Sequence, residues 1–286
     1  MCTDQFRGEI LGILPRRVVT HTGESMSTSS ERPLILVTND DGIEAGGIRF
    51  LVESLLPLGD IVVVAPARPM SGMGHAVTIN QTLQMEKRQF AVDGVLEAWQ
   101  TSGTPVDCVK LAIYEILGKK PDLLVSGINH GSNASINVIY SGTMSAAVEG
   151  AVEGIPSIGF SLLNHDPEAD FSACGPTIKK LAQEVLERGL PEGSCLNVNF
   201  PDLPLNEIQG LRICRQSAGH WEDAFDKRIS PSGATYFWMT GEFKNPDQGQ
   251  DTDEWALRNG FVSIVPTQFD MTAHHAISTL NQWKLS

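Results

Sequence analysis

The chain has 286 residues, of which 41% are hydrophobic and 19% charged, as in an ordinary globular protein. Its 34 acidic and 21 basic residues give a formal net charge of −13, which argues against a nucleic-acid polymer as partner, because phosphate backbones bind basic surfaces. The five cysteines are scattered without a CxxC pair and no apolar run approaches the roughly 20 residues of a membrane span, so we expect a cytoplasmic protein with reduced thiols and no membrane partner.

The first 33 residues show no sustained hydrophobic periodicity and end in a polar run. We therefore predict that residues 1–33 form an N-terminal extension, which is either disordered or reflects a mis-assigned start, with Met26 as the true first residue. Regular patterns begin at Leu34. They predict a Rossmann-like catalytic core over residues 34–200 and a C-terminal oligomerisation region over residues 201–286 that returns to the core.

Strand and helix patterns alternate through the predicted core. Continuous apolar runs of strand length predict buried strands at residues 34–38, 61–65, 121–129 and 156–162, with shorter strands inside 77–100. Apolar residues at helical spacing predict helices across 47–56, 102–118, 141–154 and 171–188. Strand, helix and strand at this spacing indicate βαβ units. The expected fold class is therefore α/β, with a Rossmann-like, mostly parallel sheet flanked by helices.

The alternation of strand and helix patterns ends after residue 190. Residues 221–250 combine many polar residues with four aromatic ones, Trp221, Tyr236, Phe237 and Trp238. This pattern predicts an extended hairpin or arm. An aromatic arm that projects from an α/β core is more often an oligomer contact than a ligand site, so we expect a homodimer or homotetramer. A late strand at 260–266 and a short helix at 272–284 complete the predicted elements.

Polar residues follow three of the predicted strands. They are Asn39-Asp40-Asp41 after the first, Ser71-Gly72 after the second, and Asn129 at the end of the third. Ligands of open parallel sheets bind beyond the carboxyl ends of the strands. Two adjacent carboxylates repel each other unless a cation lies between them, and carboxylate, hydroxyl and carboxamide oxygens suit Mg²⁺ or Mn²⁺. Alternatively, "NDDG" is an Asx-type turn and the other loops are ordinary connections.

The stretch "YSGTMSAA" places Ser141, Gly142 and Thr143 at a predicted helix start. Hydroxyls and free backbone N–H groups at the positive end of a helix dipole bind phosphate, although helix capping alone explains the same residues. A hard metal facing such a helix start indicates metal-assisted hydrolysis of a phosphate ester, in which the metal polarises the phosphoryl oxygen and activates water.

The sequence lacks the motifs of several other classes of enzyme. The sequence contains no G-x-x-x-x-G-K-[ST], no G-x-G-x-x-G after the first strand and no G-x-S-x-G elbow. The D-x-D-G frame of aspartyl-phosphate enzymes reads Asn39-Asp40-Asp41-Gly42 here, which argues against a covalent aspartyl intermediate. Two histidines, His75 and His130, lie in the candidate loops. Both are expected to be loop contacts rather than catalytic bases, with His130 the better catalytic candidate.

Six stretches together resemble the SurE-type survival proteins, a family of metal-dependent phosphatases that act on nucleoside monophosphates. They are "ILVTNDDGI", "VVAPARPMSGMGHAVT", "TSGTPVDCVKLA", "PDLLVSGINHGSN", "YSGTMSAAVEG" and "TDEWALRNGFVSIVP". The resemblance extends from Leu34 to the C-terminus. It implies a Rossmann-like core, a C-terminal region that mediates oligomerisation, and activity on 5′- and 3′-nucleotides, with short polyphosphate as a further substrate.

The resemblance also implies roles for individual residues. It makes Asp40, Asp41, Ser71 and Asn129 the ligands of one divalent metal ion per subunit, with Asp40 and Asp41 catalytic. It places the substrate phosphate near a set of small and polar residues, namely Gly72, Asn133, Ser141, Gly142 and Thr143. The chain departs from the family pattern at Ser135-Ile136-Asn137, where a glycine and two acids are expected.

The sequence thus favours a divalent-metal phosphatase for nucleoside monophosphates. The alternative from another class is a metal-dependent nucleotide-binding sensor without turnover. A second enzymatic alternative is an aspartyl-phosphate hydrolase, which Asn39 disfavours.

Overall fold

The structure, a computed structural model, describes residues 32–285. Nine strands form one sheet in the order β3-β4-β2-β1-β5-β6-β7-β11-β8. Their bounds are β1 (Leu34–Thr38), β2 (Asp60–Pro66), β3 (Met85–Arg88), β4 (Glu97–Thr101), β5 (Leu123–His130), β6 (Ser157–Leu162), β7 (Ser194–Phe200), β8 (Leu211–Ile213) and β11 (Val262–Gln268). All neighbouring pairs are parallel except β3 with β4 and β7 with β11. This confirms the predicted α/β class.

Among the described residues, six α-helices accompany the sheet and the C-terminal region. They are α1 (Gly46–Leu55), α2 (Pro105–Leu111, continued by a π-helical turn over Ala112–Leu117), α3 (Gly142–Val152), α4 (Gly175–Arg188), α5 (Asp253–Arg258) and α6 (His274–Leu280). Alternate residues of β1 point to opposite faces of the sheet. Ile35 and Val37 pack in the core that includes α1 and α4, whereas Leu36 packs in the core that includes α2 and α3. The central strands are therefore buried on both faces, as their continuous apolar runs predict.

The connection between β2 and β3 differs from the prediction. Regular strands occupy only Met85–Arg88 and Glu97–Thr101 of the stretch 77–100, and residues 67–84 form an irregular loop. Most side chains of this loop are exposed, including the apolar Met73, Val77 and Ile79, so the alternation of apolar and polar residues there is not matched by a partner strand. We refer to residues 67–84 as the Ser71 loop.

The C-terminal region has two parts. Strands β8 and β11 join the main sheet, whereas β9 (His220–Ile229) and β10 (Thr235–Lys244) form a separate antiparallel hairpin. The hairpin aromatics Phe225, Phe237 and Trp238 are exposed. The predicted arm is therefore present, and its role in oligomerisation stays a prediction, as do the boundaries of the core at 34–200 and of the C-terminal region at 201–286. The extension predicted over 1–33 lies, apart from its last two residues, outside the described residues.

Within residues 32–285, none of the helices combines the length and the apolar character that crossing a bilayer requires.

Candidate metal and phosphate site

The site lies where the carboxyl ends of β1, β2 and β5 meet. Thr38 of β1 pairs with Ser126 of β5, and Val37 of β1 pairs with Val63 of β2, so the three strands leave the sheet side by side. The segment Asn39–Asp41 follows β1, the Ser71 loop follows β2, and Asn129 lies near the end of β5. The backbone N–H of Met70 donates to the carbonyl of Asp40 at 2.7 Å, which places the start of the Ser71 loop against the carboxylate pair.

Asn39 shapes the turn after β1. Its Nδ2 donates to the carbonyl of Gly42 at 2.8 Å, and Gly42 has φ +100°, a conformation that favours glycine. The turn that sequence reasoning weighed as an alternative to a metal site is therefore formed by Asn39 and Gly42. The turn does not use the carboxylates of Asp40 and Asp41, which are free to make other contacts. An Asx-type turn and a metal site are therefore compatible here.

The Asp40 carboxylate is buried at the amino end of α3. Asp40 is 3% exposed, and its Oδ1 accepts a hydrogen bond from the Thr143 hydroxyl. Gly142 lies directly over it: a Cβ on Gly142 would be 2.7 Å from Asp40 Cβ and 2.8 Å from Oδ2. Burial, and then the neighbouring Asp41 charge, raise the pKa of Asp40 to about 6, against the opposing hydrogen bond from Thr143. A cation beside Asp40 would stabilise its ionised form.

Asp41 is held by His130. Nδ1 of His130 lies 3.1 Å from Oδ2 of Asp41, and the backbone N–H of His130 donates to the same oxygen at 3.3 Å. The hydrogen bond with Asp41 raises the pKa of His130 despite its partial burial. The ring also meets Phe171 edge-on, with centroids 5.2 Å apart. His130 is therefore a contact that orients Asp41, and the expectation that it is not a catalytic base stays a prediction.

Asn129 uses its amide nitrogen within its own loop. Nδ2 donates to the carbonyl of Gly131 at 2.8 Å. Since the nitrogen is engaged in this way, Oδ1 is the atom that could ligate a cation. Asn129 also pairs with Ser161 of β6 after a shift in register that begins at Ser126. The end of β5 lies beside Asp41, to which the backbone N–H of His130 donates.

The exposed residues of the site are Ser71 and Gly72. Gly72 has φ +73°, and a Cβ there would meet nothing within 4 Å, so this glycine serves the conformation of the loop rather than a close approach. Farther along the loop, the backbone N–H of Gly74 donates to the carbonyl of Tyr140 at 3.1 Å. The loop thus bridges Asp40 and the segment that leads into α3.

The start of α3 is capped by Ser141, whose Oγ accepts from the backbone N–H of Met144 at 3.0 Å. Capping, the simpler of the two explanations weighed for this stretch, is therefore present. The helix start also faces an anion, because the Thr143 hydroxyl donates to Asp40. The role of Ser141, Gly142 and Thr143 in binding a substrate phosphate stays a prediction.

Asn133 lies in a buried polar network beneath the site. Its Nδ2 donates to Ser161 Oγ at 2.8 Å, its backbone N–H donates to Asn199 Oδ1 at 2.8 Å, and its carbonyl accepts from Asn197 Nδ2 at 2.8 Å. These contacts fix the loop between β5 and α3. Whether Asn133 also contacts phosphate stays a prediction. Sequence reasoning missed Asn197 and Asn199, although their alternation along "CLNVNF" places both on one face of β7.

The donor set fits a hard divalent cation. It combines a buried carboxylate with a second one beside it, and among residues 32–285 His130 is the basic side chain in ion-pair distance of that pair. Near the carboxylates, Asn39 Oδ1 and His130 Nε2 are buried and have no hydrogen-bond partner among residues 32–285. The same part of the chain contains no group of three or more His, Cys, Asp or Glu side chains that could hold a metal ion. The predicted set of two carboxylates, a hydroxyl and a carboxamide offers oxygen ligands, which hard divalent cations prefer.

Comparison with known proteins adds independent findings. The model of the family described as "Survival protein SurE" matches residues 35–223. A protein of Flavobacterium psychrophilum called 5′-nucleotidase SurE is 61% identical over 255 residues, which cover 89% of this chain and 99% of that protein. A protein of the same name from Bacteroides fragilis is 50% identical over 257 residues, covering 90% of this chain and 99% of that protein.

A solved structure shows the same architecture. The SurE protein from Aquifex aeolicus superposes with a TM-score of 0.75 at 38% sequence identity. The match covers 87% of this chain and 98% of that protein.

Proposed function

The chain belongs to the SurE family of survival proteins, and on this premise we propose that it is a divalent-metal-dependent 5′-nucleotidase. It would hydrolyse nucleoside monophosphates to nucleoside and orthophosphate in the cytoplasm. The observation that carries the proposal is the Asp40–Asp41 pair at the carboxyl rim of the sheet, with the buried carboxylate of Asp40 directed at the amino end of α3. The name 5′-nucleotidase, shared by relatives that are 61% and 50% identical, supports it.

We assign Asp40, Asp41, Ser71 and Asn129 as the residues that would hold one Mg²⁺ or Mn²⁺ ion. A bound divalent ion supplies Lewis-acid activation of the phosphoryl group and lowers the pKa of water. Two carboxylates give the site the negative charge that such an ion needs, and the acidic chain as a whole adds to it.

The protein groups around the site would do the remaining work. The Thr143 hydroxyl fixes Oδ1 of Asp40, and His130 fixes Oδ2 of Asp41. We therefore assign Oδ1 of Asp41 as the atom that orients the attacking water and accepts its proton. Backbone N–H groups at Gly142 and Thr143, and Gly72 in the facing loop, would donate to the phosphoryl oxygens as negative charge develops on them.

The first prediction concerns the reaction itself. The purified protein is expected to release orthophosphate from AMP or GMP with Mn²⁺ or Mg²⁺ present. EDTA should lower the rate at least about 100-fold, and added metal should restore it, because the charge stabilisation that a metal provides has no substitute among the described side chains. Colorimetric phosphate detection over a panel of nucleotides and metals measures this. The same panel tests two finer proposals, activity on 3′-nucleotides and on short polyphosphate.

Two outcomes would contradict this function. Tight, metal-dependent nucleotide binding with no phosphate released over a long incubation would identify a sensor. A phosphorylated Asp40 or Asp41, trapped during turnover and located by mass spectrometry, would identify an aspartyl-phosphate hydrolase despite Asn39.

The second prediction concerns assembly. We propose that the β9–β10 hairpin mediates a homodimer or homotetramer, since a two-stranded sheet with exposed aromatics is marginally stable by itself. Replacing residues 220–244 by a short glycine linker is expected to lower the oligomeric state. Light scattering coupled to size-exclusion chromatography measures the mass, and circular dichroism checks the core. Ser232→Ala at the hairpin tip is the control and should leave the mass unchanged, whereas an unchanged mass after the deletion would exclude the hairpin as an interface.

A further inference from the structure

The Ser71 loop is positioned by few contacts outside its two ends, although it carries a proposed metal ligand. Two of these contacts end on buried carboxylates. His75 of the loop meets Glu149 of α3, and Thr78 of the loop meets Asp107 of α2. Neither carboxylate belongs to the site described above. Both lie in stretches, "TSGTPVDCVKLA" and "YSGTMSAAVEG", that carried the family resemblance.

Glu149 is 3% exposed and uses both of its oxygens. Oε2 accepts from Nε2 of His75 at 2.8 Å, and Oε1 accepts from the ammonium of Lys110 on α2. Burial raises the pKa of Glu149, but the hydrogen bonds with His75 and Lys110 outweigh burial and hold the pKa below its ordinary value. An ionised carboxylate in this position strongly favours keeping its donors, because removing one leaves a buried charge less compensated.

Asp107 is 1% exposed and has two tasks. Within α2 it completes a capping box with Thr104. Toward the loop, its Oδ2 accepts from the Thr78 hydroxyl at 2.6 Å and its Oδ1 accepts from the Thr78 backbone N–H at 3.0 Å. Thr104 adds a further contact, since its hydroxyl donates to the carbonyl of Ala76 at 2.7 Å.

We propose that Glu149 and Asp107 are positioning residues that hold the Ser71 loop against Asp40 through His75 and Thr78, and so set the affinity for the divalent metal. The proposal rests on the proposed function, since it concerns the same metal site. The four contacts lie at residues 75, 76 and 78, four to seven positions after Ser71. At its other end the loop is tied to Asp40 by the N–H of Met70. Ser71 is thus fixed from both directions, and loss of either carboxylate contact should let it move away from the carboxylate pair.

The test substitutes the loop residue, because His75 has a side chain that is 39% exposed and its loss should leave the fold intact. His75→Ala is expected to weaken Mn²⁺ binding about ten-fold by calorimetry, with kcat at saturating Mn²⁺ within about three-fold of the original protein. Amide hydrogen exchange over residues 67–84 should rise in the metal-free protein. His75→Gln, which can still donate to Glu149, should restore both properties, and Thr78→Val should reproduce the effects of His75→Ala.

The matched control is Glu153→Gln. Glu153 follows the last residue of the same helix as Glu149 and accepts from Tyr114 on the surface, so the substitution removes a carboxylate hydrogen bond of α3 that does not involve the loop. It should change neither Mn²⁺ affinity nor loop exchange. Unchanged affinity and exchange in both His75→Ala and Thr78→Val would overturn the proposal. If the unsubstituted protein binds no Mn²⁺ and releases no phosphate, the proposed function fails, and loop exchange in metal-free protein still decides whether the two carboxylates position the loop.

Discussion

Replacing Asp41 by asparagine is expected to lower kcat/KM for AMP by about a thousand-fold at fixed Mn²⁺ concentration, because it removes a proposed metal ligand and proton acceptor together. Asparagine keeps the shape of the side chain, and its Oδ1 can still accept from the backbone N–H of His130, so the loop should stay in place. Steady-state kinetics at varied Mn²⁺ concentration separates the loss of the metal ligand from the loss of the proton acceptor. Weaker metal binding appears as a higher Mn²⁺ requirement, and loss of the proton acceptor appears as a lower kcat at saturating metal.

The matched control for this substitution is Asp60→Asn. Asp60 begins β2, at the amino edge of the same sheet, and its Oδ1 lies 3.6 Å from a guanidinium nitrogen of Arg32. The chemical change is identical, but the site is at the other edge of the sheet, so activity should be unaffected. Normal activity and normal metal dependence in Asp41→Asn would refute the assignment of Asp41 as a ligand.

Gly142→Ala is expected to lower kcat/KM about 100-fold without unfolding the protein, by displacing the Asp40 carboxylate. The new methyl group would lie 2.7 Å from Asp40 Cβ and 2.8 Å from Oδ2, distances at which atoms overlap. Asp40 is buried and bonded to Thr143, so it cannot rotate away without breaking that hydrogen bond. A misplacement of about 1 Å in a catalytic site can cost about 100-fold in rate. Kinetics and the melting temperature, measured together, test this.

A second glycine provides the comparison. Gly46 begins α1 as Gly142 begins α3, but a Cβ on Gly46 would have Phe171 at 3.8 Å as its nearest neighbour, which is ordinary contact. Gly46→Ala should therefore keep full activity. Full activity in Gly142→Ala as well would mean that α3 does not press on Asp40 as described here.

The elements of the core could be predicted because their signals are local. In α1, apolar residues at helical spacing predict one buried face, and Ile48, Leu51, Val52 and Leu55 are all buried. Ser141 was expected to begin a helix, and its hydroxyl caps α3. The carboxyl ends of parallel strands meet at one edge of a sheet, so strand positions alone placed Asp40, Asp41 and Asn129 close together.

Contacts between distant segments could not be predicted in this way. No local pattern indicates that Thr143 donates to Asp40, or that Glu149 meets His75, because these pairs depend on how α3 packs beside the sheet. The glutamate within the small-residue run "SAAVEGAV" indicates a buried charge, which needs a hydrogen-bonding or charged partner. The sequence does not indicate which residue that partner is. The alternation of apolar and polar residues over 77–100 predicts strands, and part of the Ser71 loop falls in that stretch. Alternation alone does not show whether a neighbouring strand is available to form hydrogen bonds with it.

The departure from the family pattern begins at a residue with a left-handed backbone conformation. Ser135 stands where a glycine was expected and has φ +54°, a region that disfavours most residues other than glycine. Its backbone N–H donates to Asp253 at 2.8 Å, and its hydroxyl donates to the carbonyl of Ser217 at 3.1 Å. Asn137 accepts from the indole N–H of Trp221 at 2.8 Å, at the base of the hairpin. Ser135 and Asn137 are therefore engaged with the C-terminal region.

The order of strands in the main sheet affects how the chain is exposed during its synthesis. Strand β11 lies between β7 and β8, although both precede it in sequence. As a ribosome extends the chain, β7 emerges with one edge unpaired, and β8 has no partner strand among the described elements until residues 262–268 follow. The β9–β10 hairpin emerges in the same interval. An unpaired strand edge is a template for another chain, so the nascent protein exposes such a template after the residues of the proposed site have been made and before its last strand closes the sheet.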